Sequence, residues 1–487
     1  MADFDLVIKG GRVVIPWSGV VKADIGISGE KIAVIAENIS PSAAKETLDA
    51  SGRHVFPGAV DSHFHIGIYR PMDLDARTES TSAASGGVTT ILSYFRTGRN
   101  YLNKTGPYKK IFPEVLELSS KSFLVDYGYH ITILTEEHIS EIEWLVREAG
   151  VSTFKYYMFY KLLNLAGSSL EGSSYLMIEN PVDLGFLYQY MLEVSRVNEL
   201  FARYGRISVS VHCENPEIIR VMTREMVERP TGKALEDYSN ARPPWQEALA
   251  VNETGVIADA TGCPVNLLHL SSRAAVDAAI GVAVRYPHLD FLLEGTLHHL
   301  GLSNEGDYGR LGKVNPPIRS AEDRDYLWQR LLAGDIDTVV SDHACLTREI
   351  KQGDLWTSLP GFGGTSLMFP LLITEGHFKR GLPLTGIAEL TSLNPAIRHN
   401  LYPKKGTIAI GGDADLAVID LGSERTVNTE ILHSAQDFSP FEGMKYRGWP
   451  TDTILRGKLI FKDGKVVGEP GYGRFIKRPV RLHYECA

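Results

Sequence analysis

The alternation of short apolar runs with amphipathic or alanine-rich stretches, between residues 56 and 400, constrains the fold more than any other feature. This pattern indicates consecutive βα units, whose strands pair in parallel. Eight such units close a (β/α)8 barrel. The sequence therefore predicts an α/β protein with a TIM-like (β/α)8 barrel. The eight strand candidates are HVFPGAVDSHFH, VTTILSYF, VDYGYHITIL, VSTFKYYMF, ISVSVHCEN, PVNLLHLS, LDFLLEGTL and IDTVVSDHA.

The two ends of the chain share a second texture, short β-runs separated by glycines. Near the start these are DLVIKGGRVVI, KADIGISG and KIAVIA; near the end they are GTIAIGGDADLAVIDL and DTILRGKLIFKDGKVVG. Because chain termini often lie close together, distant segments can complete one domain. We predict a small antiparallel β-sandwich built from residues 1–55 and 401–487, the latter including a C-terminal tail, around a barrel of residues 56–400.

Composition restricts the partners. The formal net charge is -9 and no long run of Lys or Arg occurs, which argues against a nucleic-acid groove or a polybasic membrane patch. No apolar stretch reaches membrane-span length, and the first residues lack a signal-peptide pattern. The four cysteines are far apart without a CxxC pair, typical of reduced thiols. We predict a cytoplasmic protein that acts on a small molecule.

Polar side chains stand near the ends of the predicted strands rather than at their starts. In a barrel those ends meet on the C-terminal face, where active sites lie. His63 and His65 are one residue apart and point the same way from a strand. One site therefore collects six residues: His63, His65, Lys155, His212, His269 and Asp342.

These residue types suit a metal centre. Imidazoles and carboxylates bind Zn²⁺, and the set is larger than one tetrahedral ion needs, which favours two ions with a shared ligand. Among such ligands Lys155 must be neutral or carbamylated by CO2, and a carbamate would bridge the two ions. Two divalent ions together with three anions, namely the carbamate, Asp342 and one bridging hydroxide, give the centre a net charge of about +1. It would hydrolyse a polarised carbonyl.

Each residue taken alone has an ordinary structural explanation, such as a polar strand end or a turn. The ordered appearance of all six on strands one, four, five, six and eight favours the metal site. Several other polar residues have open roles. His298 and His299 contact substrate or form a wall, His343 lies behind Asp342, and Arg70, Arg96 and Arg99 bind an anionic substrate or form salt bridges. The basic segment GYGRFIKRP is interpreted as a subunit contact or a solvated tail.

The motifs also resemble a known family over nearly the whole chain. The segments are PGAVDSHFH, FKYYMFYK, VHCENPE, LLHLSS, KVNPPIR, SDHA, TSLNPA with KKGTIAIGGDADLAVID, PFEGMKYRGWP, and TILRGKLIFKDGKVVG followed by GYGRFIKR. Together they resemble the amidohydrolase superfamily, and most closely its dihydropyrimidinase and hydantoinase branch.

The resemblance implies particular roles. His63, His65 and Asp342 would hold the more buried zinc ion. His212 and His269 would hold the more exposed one, with carbamylated Lys155 binding both. Tyr160 would donate to the substrate carbonyl as it becomes an oxyanion, and Asn315 would lie at the substrate pocket.

The implied reaction is attack of a metal-bridging hydroxide on a ring amide carbon. Asp342 would take the hydroxide proton and pass it to the leaving ring nitrogen. The product would be an N-carbamoyl amino acid or a similar ring-opened amide. The resemblance also implies a homotetramer or homodimer.

Departures from the family pattern leave alternatives open. The loop HIGIYRPMDLD is unusual, Cys345 replaces a common proline, and the stretch around Gly361 and Gly364 is partly like allantoinases. Gly67 stands where dihydroorotases carry the arginine of HxHxR, which weakens that alternative. Allantoinase or another cyclic imide or amide hydrolase remains open. A noncatalytic dihydropyrimidinase-related scaffold is disfavoured because all six ligand positions are filled.

Overall fold

The computed structural model describes residues 3–98, 101–159 and 182–484, and within them the strands form two nine-stranded sheets. The strands are β1 (Phe4–Ile15), β2 (Gly19–Ser28), β3 (Lys31–Ala36), β4 (Ala44–Asp49), β5 (His54–Pro57), β6 (Ala59–His65), β7 (Val88–Phe95), β8 (Asp126–Thr132), β9 (Thr153–Tyr157), β10 (Ser208–His212), β11 (Val265–Leu267), β12 (Phe291–Thr296), β13 (Thr338–Val340), β14 (His343–Ala344), β15 (Leu416–Thr426), β16 (Lys445–Leu455), β17 (Lys458–Lys462) and β18 (Lys465–Val466).

Most of the α-helices lie between the strands of the first sheet, and the last four follow it in the chain. They are α1 (Met72–Ser85), α2 (Tyr108–Ser120), α3 (Glu136–Ser140), α4 (Ile142–Arg147), α5 (Leu184–Phe201), α6 (Pro216–Glu228), α7 (Ala234–Asn240), α8 (Pro244–Thr261), α9 (Arg273–Arg285), α10 (Leu297–Gly301), α11 (Ala321–Leu332), α12 (Met368–Leu371), α13 (Leu384–Ala388), α14 (Asn394–Arg398) and α15 (Val480–Tyr484). No helix in the described ranges is long and apolar enough to cross a membrane.

The first sheet is a closed parallel barrel. Its order runs from β13 back through β12, β11, β10, β9, β8 and β7 to β6, and then to β14. Only Ser341 and Asp342 separate β13 from β14, so these two pieces form one interrupted eighth strand that closes the barrel against β6. Every residue of the barrel strands is buried, as expected for a parallel sheet covered by helices. The predicted (β/α)8 barrel is confirmed.

The first predicted strand is in fact two strands, divided at Gly58. Strand β5 pairs with β1 and β15 in the second sheet, whereas β6 belongs to the barrel. A Cβ atom at Gly58 would lie 2.3 Å from the hydroxyl oxygen of Thr89. The chain can therefore pass between the two sheets here only with glycine.

The second sheet joins both chain ends, as predicted for the small domain, through the antiparallel pair β5 and β15. The prediction that this sheet is purely antiparallel was wrong, because β1 pairs in parallel with both β4 and β5. Its apolar face buries a separate core that includes Val13, Ile25, Val55, Leu416 and Ile454. The two remote segments are thus held by shared hydrophobic burial as well as by strand pairing.

A buried ion cluster connects the barrel to the second sheet. The Lys405 ammonium lies 2.6 Å from a carboxylate oxygen of Asp126 on β8, 3.0 Å from one of Asp413 and 2.5 Å from one of Asp415. Lys405 is 2% exposed. Three acidic groups that would otherwise repel one another therefore share one cation.

The segment GYGRFIKRP packs against the barrel and is not a solvated tail. The amide of Ile476 donates to the carbonyl of Tyr127, and the fully buried Arg478 guanidinium donates to the carbonyl of Tyr129. These contacts run along β8. Of its three basic residues, Arg478 lies inside the fold, whereas Arg474 and Lys477 are exposed.

Candidate metal centre

The structure brings the six predicted ligands together at the C-terminal ends of the barrel strands. His63 and His65 end β6, Lys155 is on β9, His212 ends β10, and His269 follows β11 by two residues. Asp342 lies in the interruption between β13 and β14. Each of the six side chains is less than a tenth exposed.

One half of the site is a cluster of three donor groups. The Nε2 atoms of His63 and His65 each lie 3.1 Å from Oδ1 of Asp342, and one donor atom from each residue falls within 4.8 Å of the others. Burial lowers the pKa of His63 to about 3 and that of His65 to about 4. Burial alone would raise the pKa of Asp342, but the two imidazoles hold it below its usual value. Neutral imidazoles and an ionised carboxylate are the forms that bind a cation.

The other half contains His212 and His269, whose ring centroids are 4.3 Å apart. The His269 ring is 5.3 Å from that of His63, so the two halves are adjacent. His212 ends β10 and His269 follows β11, and a capped helix comes after each of them. Asn215 accepts from the amide of Ile218 to begin α6, and a serine caps α9 in the same way.

Lys155 lies between the two halves and lacks an ordinary partner. Its Nζ atom is 4.2 Å from the ring centroid of Tyr94 and 4.6 Å from that of Tyr157, and it makes no hydrogen bond to any described residue. Burial lowers the pKa of Lys155 to about 7. Within the same ranges the Nδ1 atoms of His65 and His269 also lack hydrogen bonds. Buried polar atoms without partners, beside a carboxylate, fit a centre that binds divalent cations.

Two of the candidate ligands have unusual backbones. Asp342 has φ +50° and His269 has φ +34°, the left-handed region that non-glycine residues rarely adopt. Such conformations cost about 1–3 kcal/mol each and concentrate at functional sites. The Asp61 carboxylate supports the first of them, since it accepts from the Ser341 amide at 3.1 Å and from the Thr365 hydroxyl at 2.8 Å.

Sequence reasoning missed the carboxylates that contact the histidines. Glu294, near the end of β12, accepts from Nδ1 of His63 at 2.7 Å, and Glu214 accepts from Nε2 of His212 at 2.6 Å. Burial raises the pKa of Glu294 to about 8, and a cation held by the neighbouring His63 would oppose this shift and favour the carboxylate. Burial would also raise the pKa of Glu214, but Arg242 and His212 lower it to about 2. Both carboxylates lie near the ends of predicted strands, ISVSVHCEN and LDFLLEGTL, and that position was the signal in the sequence.

The three other predicted histidines are held by neighbouring groups. The ring of His343 stacks on Phe64 at 4.5 Å, and its Nε2 donates to Glu79 at 2.8 Å, so these partners are not among the six candidate ligands. His298 and His299 are both about 2% exposed, and each has a ring nitrogen within hydrogen-bond distance of the Thr296 hydroxyl. Both rings are close enough to Asp342 to feel its charge.

Asn315 is half-buried, and its Oδ1 accepts a hydrogen bond from the Tyr238 hydroxyl at 2.5 Å. The carbonyl of the next residue, Pro316, accepts from Nε2 of His299 at 3.3 Å, which places this loop against His299. Tyr160, predicted to donate to the substrate, lies outside the described residues.

Of the three arginines with open roles, two lie in the described residues, and they differ in their surroundings. Arg70 forms ion pairs with Asp75 at 3.2 Å and Glu79 at 3.5 Å, as in the salt-bridge interpretation. Arg96 is 7% exposed, and its guanidinium donates to the carbonyl of Thr97 at 3.1 Å. Arg99 is outside the described residues. Gly67 adopts φ +81° and donates its amide to Asp75, a backbone that disfavours arginine at this position.

A (β/α)8 barrel that collects imidazoles, a carboxylate and a buried lysine at its strand ends defines a metal-dependent hydrolase. The model of the amidohydrolase family matches residues 189–460. A D-hydantoinase of Geobacillus stearothermophilus is 31% identical, over 97% of this chain and 96% of its own. An allantoinase of Desulfitobacterium hafniense is 33% identical, over 96% and 98%. The solved L-hydantoinase (dihydropyrimidinase) from Arthrobacter aurescens has a TM-score of 0.84 at 29% identity, over 98% of this chain and 100% of that one. The chain belongs to the amidohydrolase family.

Proposed function

We propose that this protein hydrolyses a cyclic amide or ureide of the dihydropyrimidine or hydantoin type to an N-carbamoyl amino acid. The observation that carries the proposal is the buried, unbonded Lys155 amine among four imidazoles and Asp342, described above. Relatives named D-hydantoinase and L-hydantoinase, matched over nearly their whole length, support the substrate class.

The residues fit two divalent ions, which we propose are zinc. His63, His65 and Asp342 would hold one ion, and His212 and His269 the other. Lys155 would bind both after its neutral amine adds CO2 to form a carbamate and release a proton. When bound, the ions would supply Lewis-acid polarisation of the amide carbonyl and acidify a water molecule at neutral pH.

The side chains of the site would then move the protons. The Asp342 carboxylate would accept a proton from the attacking water and return it to the ring nitrogen as the carbon–nitrogen bond breaks. Tyr160 would donate a hydrogen bond to the carbonyl oxygen, which gains negative charge during attack. Asn315 would hold the ring at the edge of the site.

The larger organisation also belongs to this proposal. We assign residues 56–400 to the hydrolase barrel and residues 1–55 and 401–487 to the small domain, except that Phe56 and Pro57 pair in the second sheet as part of β5. We further propose a cytoplasmic location, a homotetramer or homodimer, and no nucleic-acid partner. The formal charge of -9 supports the last of these.

Allantoin is the second candidate substrate. The allantoinase of Desulfitobacterium hafniense is 33% identical to this chain, as similar as the D-hydantoinase at 31%. The arginine position of the HxHxR motif is occupied by Gly67, and Arg70 is paired with acidic residues, so we expect uncharged ureide rings rather than dihydroorotate.

The decisive experiment is a ring-opening assay with zinc-loaded protein in bicarbonate. The panel comprises dihydrouracil, hydantoin, 5-substituted hydantoins, allantoin and dihydroorotate, with Asp342→Asn as the inactive control. Turnover of a dihydropyrimidine or hydantoin that the control lacks supports the proposal. Preference for allantoin selects the second candidate. Absence of turnover on every ring, with two zinc ions bound per chain, rejects these substrates.

A further inference from the structure

Glu294 contacts both halves of the candidate centre with a single oxygen atom. Its Oε1 accepts from Nδ1 of His63 at 2.7 Å and from the backbone amide of His269 at 3.1 Å. Glu294 is 1% exposed, so water does not compete for these contacts. Glu294 and His63 lie near the ends of β12 and β6, and His269 comes two residues after β11. The carboxylate therefore links three strand ends of the barrel.

The contact with His63 selects one imidazole tautomer. A carboxylate at Nδ1 keeps the proton on that nitrogen, which leaves the lone pair of Nε2 available for a metal ion. That Nε2 atom is the one that lies 3.1 Å from Asp342. Removal of the acceptor would allow the proton to move to Nε2 and block the donor atom.

The contact with His269 acts on the backbone rather than the ring. His269 has φ +34°, a conformation that needs support from its surroundings. The hydrogen bond from its amide to Glu294 supplies such support and so determines where the imidazole of His269 points. Loss of this bond would leave a buried amide without its acceptor and release the strained turn.

Glu214 provides an internal comparison. It is also a buried carboxylate beside a histidine, but among the candidate ligands it bonds only to His212, at 2.6 Å. Its other oxygen accepts from Arg242 at 2.8 Å. Glu214 therefore supports one half of the centre, whereas Glu294 supports both.

We propose that Glu294 is a positioning residue that holds one ligand of each metal ion, His63 for one and His269 for the other, and thereby sets the affinity of both ions together. This inference rests on the binuclear centre of the proposed function. It predicts that a change at Glu294 weakens two ions, and that a change at Glu214 weakens one.

The test measures zinc retention. Wild type, Glu294→Gln and Glu214→Gln are loaded with zinc, titrated with a competing chelator, and analysed for zinc per chain. Carboxylates that orient metal-bound histidines contribute about 10–100-fold in affinity. We expect two ions in wild type, one ion weakened by that factor in Glu214→Gln, and both weakened in Glu294→Gln. The visible absorption of cobalt-substituted protein should change for both ions only in the Glu294 variant.

Thermal melting of the metal-free proteins separates positioning from folding. If Glu294→Gln does not fold, Glu294→Asp keeps the carboxylate one methylene shorter and should show the same loss of both ions. A Glu294 variant that folds and retains either ion with wild-type affinity overturns the inference. A wild type that binds fewer than two ions instead overturns the proposed binuclear centre.

Discussion

The Nζ atom of Lys155 lies 4.2 Å from the ring centroid of Tyr94, without a hydrogen-bond acceptor among the described residues. Cation–π attraction alone offsets little of the cost of burying an ammonium ion. Burial instead favours the neutral amine and lowers the pKa of Lys155 to about 7. A neutral amine is the form that reacts with CO2, so the pocket makes the lysine reactive near neutral pH.

We therefore predict a carbamate on Lys155 in the zinc-loaded protein. With ¹³C-labelled bicarbonate, wild type should give a carbamate signal in the ¹³C NMR spectrum. Lys155→Met should lack the signal and lose about 10²–10³-fold or more of its activity, because the electrostatic support of the transition state is lost. Lys351→Met is the matched control, since Lys351 is equally buried but donates to the carbonyls of Lys313 and Gly361. A signal that persists in Lys155→Met would contradict the prediction.

Tyr238 is predicted to act on substrate binding through Asn315. Tyr238→Phe removes the hydrogen bond to Oδ1 of Asn315. Such a bond contributes about 1 kcal/mol, here to the orientation of an amide that we propose holds the substrate ring. KM should rise roughly five- to tenfold while kcat stays within about twofold. Tyr326→Phe, which removes a hydroxyl bonded to Asp277 on the outer surface, should change neither. Steady-state kinetics with the substrate ring that is turned over fastest provides the measurement. A fall in kcat at constant KM would show that Asn315 does not contribute to ground-state binding of the substrate.

The ligands that share a simple pattern were accessible from the sequence. His63 and His65 end one strand with period two, and the position of Asp342 near the end of the eighth apolar run indicated the same face of the barrel. Eight apolar runs separated by helical stretches were enough to predict the barrel. Buried parallel strands appear in a sequence as continuous apolar runs, and helices connect them.

The supporting contacts were not accessible, for physical reasons. Glu294 and His63 are 231 residues apart, and no local pattern links a carboxylate to a distant imidazole. The positive φ of His269 arises from the tertiary environment, since neither its own residue type nor its neighbours demand it. The break of the first strand run at Gly58 depends on a close approach to Thr89, which only the folded barrel creates.

The ion cluster around Lys405 gives a prediction about stability. Lys405→Met would leave the buried Asp415 carboxylate without its cation, whereas Asp126 keeps Arg456 and Asp413 keeps Lys31. Removing one partner of a buried pair costs about 3–5 kcal/mol. The urea midpoint of unfolding should therefore fall. The KM of the folded protein should stay unchanged, because Asp126 is the first residue of β8 and the candidate metal ligands lie at the opposite, C-terminal ends of the barrel strands. Lys110→Met, at an exposed lysine on α2, is the control. Equal midpoints for wild type and Lys405→Met would show that the cluster does not stabilise the fold.

His54 gives a prediction about pH. It is 6% exposed on β5, and burial, reinforced by repulsion from Arg12, lowers its pKa from 6.5 to about 4. As the pH falls, the His54 imidazole therefore binds a proton in the unfolded chain before it does so in the folded protein. The contribution of neutral His54 to the free energy of unfolding is fully present above pH 6.5 and is lost progressively between pH 6.5 and about 4. His54→Phe removes the titrating group and should flatten this part of the stability curve, whereas His288→Gln, at an exposed histidine, should leave it unchanged. Urea unfolding across this pH range provides the measurement, and identical slopes for wild type and His54→Phe would exclude His54 as a source of acid sensitivity.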